Sequence, residues 1–431
     1  MTEKFDAIVV GAGVAGLSAA YIMAKEGLNV IIIEKGKYPG AKNVMGGVIY
    51  RHMMEEIIPE FWKEAPLERP IIEQNLWLLD KGSAVKTGYR GVEWGIPPYN
   101  NFTVFRGKFD KWFAQKCIDA GALLVNETTV TECITENNKV VGVRTDRPEG
   151  DIYADVVVLA DGVNSLLAKN LGFHQEWRKD QVALAVMEEI KMPSGKIEDR
   201  FNLDKGMGAT IEIFGDGTQG MVGTAFIYTN KEHISIGCGA LLSQMTKKGI
   251  PPYELLEYIK KHPVIKPLIE GGEPCEYYAH LIPEGGYKSI PKLVGDGVLV
   301  VGDAAQFVNG IHREGSNMGM TSGRLAAETI INAKKSGGFD ENTLSKYETM
   351  IKNSYVMKDL YKYKDASATM EENPRFFNNY IPAANKFINE MLTVDGVSKA
   401  DKQKSVFEYF TEGSSKLGFA KDIFKIWRAM K

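Results

Sequence analysis

Gly11, Gly13 and Gly16 follow directly on the apolar run Phe5-Asp6-Ala7-Ile8-Val9-Val10, and glycines at that spacing suit the grip of a pyrophosphate. Gly11 permits a tight turn, Gly13 lets backbone approach the phosphates, and Gly16 lets a helix pack close to the preceding strand. With Val14 and Ala15 between them, the unpaired N–H groups and the dipole of the helix start attract negative charge. The helical pattern continues through 17–26, and a second strand at 29–33 ends in Glu34-Lys35. The Glu34 carboxylate is placed to accept hydrogen bonds from both hydroxyls of an adenosine ribose, and it would repel a 2′-phosphate. This fingerprint does not say which dinucleotide is held, and a glycine-rich turn without nucleotide is its plain alternative.

A distant segment narrows the choice. Val298-Leu299-Val300-Val301 reads as another buried strand, ends in Gly302-Asp303-Ala304-Ala305, and is followed by a long helix from about Gly315. This resembles the Gly-Asp motif of the flavoprotein superfamily that contains aromatic hydroxylases, geranylgeranyl reductases and electron-transfer-flavoprotein:quinone oxidoreductases. The resemblance implies FAD as cofactor, with Asp303 on its ribityl chain. Phe105-Arg106-Gly107-Lys108-Phe109-Asp110 resembles the Arg-x-x-Phe/Leu-Asp element of the same superfamily. That implies an FAD contact for Arg106, whose guanidinium offers directional donors to phosphate or ribityl oxygens; a surface arginine at a helix start is the alternative. Ala160-Asp161-Gly162 resembles the superfamily's Asp-Gly motif, so Asp161 and Gly162 support the cofactor, and capping of the next helix by Asp161 or Asn164 is compatible with that role.

Two further segments resemble the FixC type of electron-transfer-flavoprotein:quinone oxidoreductase. In Pro39-Gly40-Ala41-Lys42-Asn43-Val44-Met45-Gly46-Gly47 the small residues let backbone approach a planar ring. Lys42 or Asn43 would donate to flavin or phosphate oxygens there; a flexible surface loop is the alternative. The stretch 309–323 is the most specific: Gly315, Ser316, Asn317 and Met318 start a helix aimed at the flavin N1 and C2 carbonyl. A positive dipole there stabilises the negative charge that develops on reduction. His312 and Arg313 would tune that site as polar or cationic neighbours, with a structural, hydrogen-bonded His312 standing beside this reading.

On these motifs the chain is identified as a member of the FixC-type family. The resemblance implies oxidation of a reduced electron-transfer flavoprotein, made of alpha and beta subunits, and electron delivery to a membrane quinone. It also implies a small ferredoxin-like iron-sulfur subunit and, in some complexes, electron bifurcation from NADH. The flavin performs the redox step, so no catalytic nucleophile or general base is required. Three other functions stay open: reduction of isoprenoid double bonds, aromatic monooxygenation, and a flavin-bearing assembly subunit without its own catalysis. Against the first, Ala225-Phe226-Ile227-Tyr228-Thr229-Asn230 departs from the Tyr-x-Trp-x-Phe-Pro element of the geranylgeranyl reductases.

The elements that must position these residues follow from pattern and composition. At 431 residues the chain is long enough for several packed layers. Its net charge of -3, with interleaved signs, gives no field for nucleic acid. Cys117, Cys133, Cys238 and Cys275 are scattered without metal-ligand spacing, so no metal or iron-sulfur cluster is expected in this chain. Residues 1–6 lack the regions of a signal peptide, and no apolar stretch reaches the length of about eighteen residues that suggests a membrane span. The expected location is cytoplasmic, with peripheral contact on the inner face of the cell membrane.

Alternating strands and helices through residue 172 suit a parallel sheet, with 122–125, 128–135 and 140–145 as a small antiparallel excursion. The expected fold is α/β: a Rossmann-like FAD-binding domain of the aromatic-hydroxylase/glutathione-reductase type, with an inserted β-sheet domain and a helical C-terminal cap. Residues 1–172 and 292–335 make the FAD domain, 173–291 the insert and 336–431 the cap. Gly215-Asp216-Gly217-Thr218-Gln219-Gly220 matches the dinucleotide spacing, but it lies between two strand-like runs and reads as a hairpin turn. In 416–431, Phe419, Ile423, Ile426, Trp427 and Met430 gather on one helical face with Lys421, Lys425 and Arg428 opposite. That basic amphipathic pattern suits lipid, a partner subunit or the chain's own core.

Overall fold

The computed structural model describes residues 4–43 and 46–431, the side chain of Phe407 excepted. Residues 1–3 of the N-terminal segment, and Val44 and Met45 of the 39–47 loop, lie outside the described residues. Strands that are apolar along their length must be buried on both faces, which calls for a parallel sheet covered on either side. Leu123–Val125, Val30–Ile33, Lys4–Val10, Asp151–Leu159 and Val298–Val300 form that sheet in this spatial order, each parallel to its neighbours. The antiparallel excursion is narrower than expected: it is Val130–Glu136 with Lys139–Thr145, the latter pairing with the start of Asp151–Leu159, whereas Leu123–Val125 joins the main sheet parallel to Val30–Ile33.

The first helix, Val14–Lys25, begins three residues before the apolar run suggests, because Gly13 takes the extended conformation of its N-cap. It packs on the helix Ser316–Ser336. A Cβ added at Gly323 would stand 2.1 Å from the carbonyl oxygen of Ala15, so only glycine allows that approach. The two nucleotide-binding segments, far apart in sequence, are thereby locked back to back.

The second sheet has nine strands. Its order is Glu273–Pro283, Val182–Lys191, His233–Leu241, Gly223–Thr229, Gly208–Gly215, Leu67–Asp80, Asn101–Val104 and Gly47–Tyr50, with Ser83–Arg90 paired to Leu67–Asp80. The expected source of this sheet, 173–291, is therefore too narrow: residues 47–104 supply four of its strands. Glu273–Pro283 is an edge strand whose residues are mostly exposed up to Tyr277, so it lacks an alternating apolar signal. Gly208–Gly215 and Gly223–Thr229 pair antiparallel across the short turn at 216–218, which makes the second glycine-rich motif a hairpin connection.

Ser194–Phe201 and Pro252–Lys261 cover one face of the nine-stranded sheet, burying Ile197, Leu255 and Ile259 against Ile211, Ile227 and Ile236. Strand alternation puts Met187, Glu189, Glu212, Phe226, Tyr228 and Ser235 on the opposite face. Phe105, at the start of the helix Arg106–Asp119, packs on that face with Met187, Phe226 and Tyr278. Residues beyond 340 are mainly helical, and the buried Tyr347 anchors them by donating to the Val300 carbonyl at 3.0 Å.

The last helix, Lys416–Met430, splits the apolar face expected of it. Phe419, Ile426 and Met430 are partly buried, and Asp422, 4% exposed, accepts from the Tyr380 hydroxyl at 2.5 Å and pairs with Arg375. Leu417, Ile423, Phe424 and Trp427 are exposed. Among the described residues no helix is long and apolar enough to cross a membrane.

Candidate functional site

The nucleotide end of the site rests on the first turn after Lys4–Val10. Gly11 has a φ of +102°, and a Cβ added there would stand 2.3 Å from the Ala160 carbonyl oxygen; the turn requires glycine. Val14, Ala15 and Gly16 are buried within the first helical turn, so their contribution is backbone N–H groups. Glu34 braces the turn: one carboxylate oxygen accepts from Ala12 N–H at 2.9 Å and the other from Gly36 N–H at 2.6 Å. Each oxygen keeps a lone pair for a ribose hydroxyl. Lys35 is exposed, and its charge reaches Asp161 and His280.

Asp110 organises the next part of the site. Its carboxylate takes a bidentate pair from Arg106 at 2.8 and 2.9 Å and a hydrogen bond from the Asn43 amide at 2.7 Å. Arg106 also donates to the Ser316 hydroxyl at 3.3 Å and exerts a charge effect on Asp303. Arg106, Asn43, Ser316 and Asp303 are thus brought together, whereas Lys42 is exposed. Burial pushes the Asp303 carboxyl up and the Arg106 guanidinium partly offsets it. Asp161 accepts from Leu167 N–H at 3.3 Å through one oxygen and leaves the other buried without a partner among the described residues. Gly302 donates to the Ser322 hydroxyl at 3.0 Å, fixing the turn into Asp303. Asn317 is buried and Met318 lies in the hydrophobic core at 0% exposure, so Met318 offers this site backbone only.

On the sheet side, Phe226 stacks on Tyr228 with centroids 4.9 Å apart, beside the Phe105, Met187 and Tyr278 cluster. Tyr50 lies near Tyr228, Arg313 and Glu314, and burial raises both tyrosine hydroxyls. These residues form an aromatic cluster on the face of the large sheet beside the 309–314 loop. His312 bonds the Tyr363 hydroxyl at 2.8 Å, and Arg313 pairs with Glu212 over the Phe214 ring. These contacts tie the loop to neighbouring layers, while Nε and Nη1 of Arg313 are buried without a hydrogen-bond partner among the described residues.

Over its full length the chain is 49% identical to Protein FixC of Bradyrhizobium diazoefficiens, covering 99% of that protein. The chain belongs to the FixC family. A FixC protein of Azotobacter vinelandii is 46% identical over 100% of both chains. A probable electron transfer flavoprotein-quinone oxidoreductase of Escherichia coli is 40% identical over 94% of each. Residues 366–431 match the ETF-QO/FixC family C-terminal domain, and residues 6–77 match the FAD dependent oxidoreductase family. Among solved structures, a geranylgeranyl bacteriochlorophyll reductase-like protein from Thermoplasma acidophilum superposes with a TM-score of 0.75 at 19% identity, covering 99% of this chain and 100% of that one. The myxobacterial chondrochloren halogenase CndH gives a TM-score of 0.63 at 18% identity, covering 99% and 97%. These two likenesses are of fold: an FAD-dependent oxidoreductase α/β architecture with a large sheet and a helical C-terminal region.

The FixC-family chain is an FAD-dependent electron-transfer oxidoreductase, and its open surfaces fit that cofactor. A Cβ added at Gly13, Gly47 or Gly162 would meet nothing within 4 Å, which leaves a cradle along the strand ends. Behind it, buried polar atoms have no partner among the described residues: the second Asp161 oxygen and both side-chain atoms of Gln306, three residues after Asp303. Glu34 would hold the ribose, the 11–16 turn the pyrophosphate, Asp303 and Arg106 the ribityl and phosphate oxygens, and the Gly315–Ser316 helix start the electron-rich edge of the ring. Bound there, FAD supplies two-electron redox chemistry that side chains lack. Residue pattern alone did not mark Asp110, Gln306, His280, Tyr50 or Tyr228; Asp110 does lie inside the Arg106 motif, three residues after Gly107.

Glu189 gives a pH prediction. It is 2% exposed, accepts from Ser235 at 2.8 Å, and lies against Gly46, whose added Cβ would stand 2.8 Å from its carboxylate. Burial lifts its pKa from 4.5 to about 8, opposed by the Ser235 hydrogen bond and aided by Glu276 and Glu68. The unfolded chain loses this proton near 4.5, so stability falls as pH rises from there to about 8 and stays low above it. Glu189→Gln is expected to flatten that fall, gaining on the order of a few kcal/mol over wild type in alkaline buffer and little in acid. Denaturant midpoints at about pH 5 and about pH 9 check it; equal slopes in both proteins would contradict the burial argument.

Proposed function

We propose that this chain accepts electrons from a reduced electron-transfer flavoprotein onto FAD and passes them to a membrane quinone. In this reading it works beside the alpha and beta subunits of that flavoprotein and a small ferredoxin-like iron-sulfur subunit, in a complex of the electron-bifurcating kind. The observation that carries the reading is the aromatic cluster of Tyr50, Phe105, Met187, Phe226, Tyr228 and Tyr278 beside the 309–314 loop. Aromatic faces with phenolic edges suit a planar ring that bears two carbonyl oxygens. The Escherichia coli relative named as a probable electron transfer flavoprotein-quinone oxidoreductase supports it. The test is anaerobic reduction of the FAD by reduced electron-transfer flavoprotein, followed by a soluble quinone analogue. Reoxidation of the flavin on quinone addition is expected; a flavin that stays reduced would overturn the reading.

Access to a membrane quinone calls for a surface that meets lipid. Leu417, Phe424 and Trp427, 81%, 57% and 54% exposed, form an apolar ridge on the last helix, with Lys421, Lys425, Arg428 and Lys431 beside it. Such a ridge enters the headgroup boundary of an anionic membrane. Phe424→Ser combined with Trp427→Ser is expected to reduce co-sedimentation with anionic vesicles at least about tenfold, since two buried aromatic rings contribute a few kcal/mol. The melting temperature is expected to stay unchanged, because both rings are exposed in the folded chain. Undiminished vesicle binding would assign the ridge to another contact.

A further inference from the structure

Glu284 follows the edge strand Glu273–Pro283, outside every motif described above. Its backbone N–H donates to the Gln181 carbonyl at 2.8 Å, fixing the turn. Its carboxylate abuts the 309–314 loop so closely that a Cβ added at Gly310 would stand 2.1 Å from one oxygen and 3.2 Å from the other. The adjoining Gly285 lies against Gln306, 3.1 Å from an added Cβ to the amide oxygen, and that amide, three residues after Asp303, is buried without a partner among the described residues. A part-buried carboxyl against Gly310 and a buried amide beside Gly285, neither hydrogen-bonded to a described side chain, therefore flank the segment that runs from Asp303 to Ser316.

We propose that Glu284 is the redox-linked proton acceptor of the flavin site, taking a proton from solvent as FAD is reduced and returning it on reoxidation. Two electrons come from the reductant, an electron-transfer flavoprotein or, in the test, dithionite. The Glu284 carboxylate and one solvent proton become a carboxylic acid, which neutralises one of the charges that reduction adds. Burial alone sets the proton affinity of Glu284, pushing its pKa from 4.5 to about 7, where a nearby change of charge reverses its state. The other titratable groups on the elements packed around it are directed elsewhere. Asp303 interacts with Arg106, His312 bonds Tyr363, Arg313 pairs with Glu212 through one nitrogen and leaves Nε and Nη1 without a partner among the described residues, Lys288 pairs with Asp365, and Glu314 bonds Asn317. His280, four residues back, is itself held down by burial, Lys35 and Arg106. The inference needs FAD in its cradle and holds whichever acceptor the enzyme uses.

The test uses the FAD-loaded full chain. Wild type is expected to show a break near pH about 7 in its flavin midpoint potential plotted against pH. Its reduced-minus-oxidised infrared spectrum is expected to gain a protonated-carboxyl band. Glu284→Gln is expected to lose both signals with FAD content unchanged, and Glu284→Asp to keep the band with a displaced break. An unaltered potential profile and band in Glu284→Gln would overturn the proposal. Should neither variant load FAD, the wild-type spectrum decides: no carboxylate-to-acid conversion overturns it, and a conversion that persists in Glu189→Gln supports it.

Discussion

Asp110→Ala is expected to lower stability by about 3–5 kcal/mol and to strip most of the FAD from the purified protein. The Asp110 side chain is 0% exposed and forms the bidentate pair with Arg106, which is itself only 16% exposed. Removing the carboxylate leaves a buried guanidinium with the 3.3 Å Ser316 contact and the more distant charge of Asp303. It also frees the Asn43 amide, which otherwise fixes the 39–43 segment to the helix start at 2.7 Å. Two cofactor-side residues lose their positions through one substitution. Asp110→Asn keeps the volume and one acceptor oxygen, so its loss should be intermediate. Denaturant unfolding and flavin-to-protein absorbance ratios measure both effects; a change below about 1 kcal/mol would mean that Arg106 finds other partners and that the pair is not the anchor described.

How legible the site was depends on how local its logic is. The 11–16 turn and Glu34 were readable because a strand, a turn and an acid within one βαβ unit constrain one another, and the Ala12–Glu34 bond closes that unit at 2.9 Å. The large sheet was half hidden for the opposite reason. Leu67–Asp80 carries Arg69 at 1% exposure, which breaks any apolar alternation. Arg69 is satisfied by the carbonyls of Asn230, Met207 and Lys231 and by Glu198, all remote in sequence. A buried charge with distant partners leaves no periodic signal. The same holds for Glu284, whose carboxylate lies against Gly310, remote in sequence. In the last helix, periodicity found the amphipathic stretch but not its orientation, because the buried Asp422 turns a polar position inward while Phe424 and Trp427 face out.

Asp303→Asn is expected to separate cofactor affinity from stability. The residue is part-buried, desolvation raises its pKa, and no side-chain hydrogen bond from another described residue satisfies it; the Arg106 charge partly compensates. A polar group held in that condition costs the empty fold free energy and is retained where a ligand completes it. Hydroxyls of a ribityl chain donating to the carboxylate would form charge-assisted bonds worth roughly 1.5–3 kcal/mol. Their loss corresponds to FAD binding about ten- to a hundredfold weaker. The apoprotein should be as stable as wild type or more so, since a neutral amide replaces a desolvated charge while Arg106 keeps Asp110. Melting curves with and without added FAD read both quantities, because ligand-induced stabilisation shrinks by the logarithm of the affinity ratio. A parallel loss in apoprotein and holoprotein would make Asp303 a structural residue. Unchanged affinity would remove it from the FAD cradle, and the case for a ribityl contact at the Gly302–Asp303 turn would go with it.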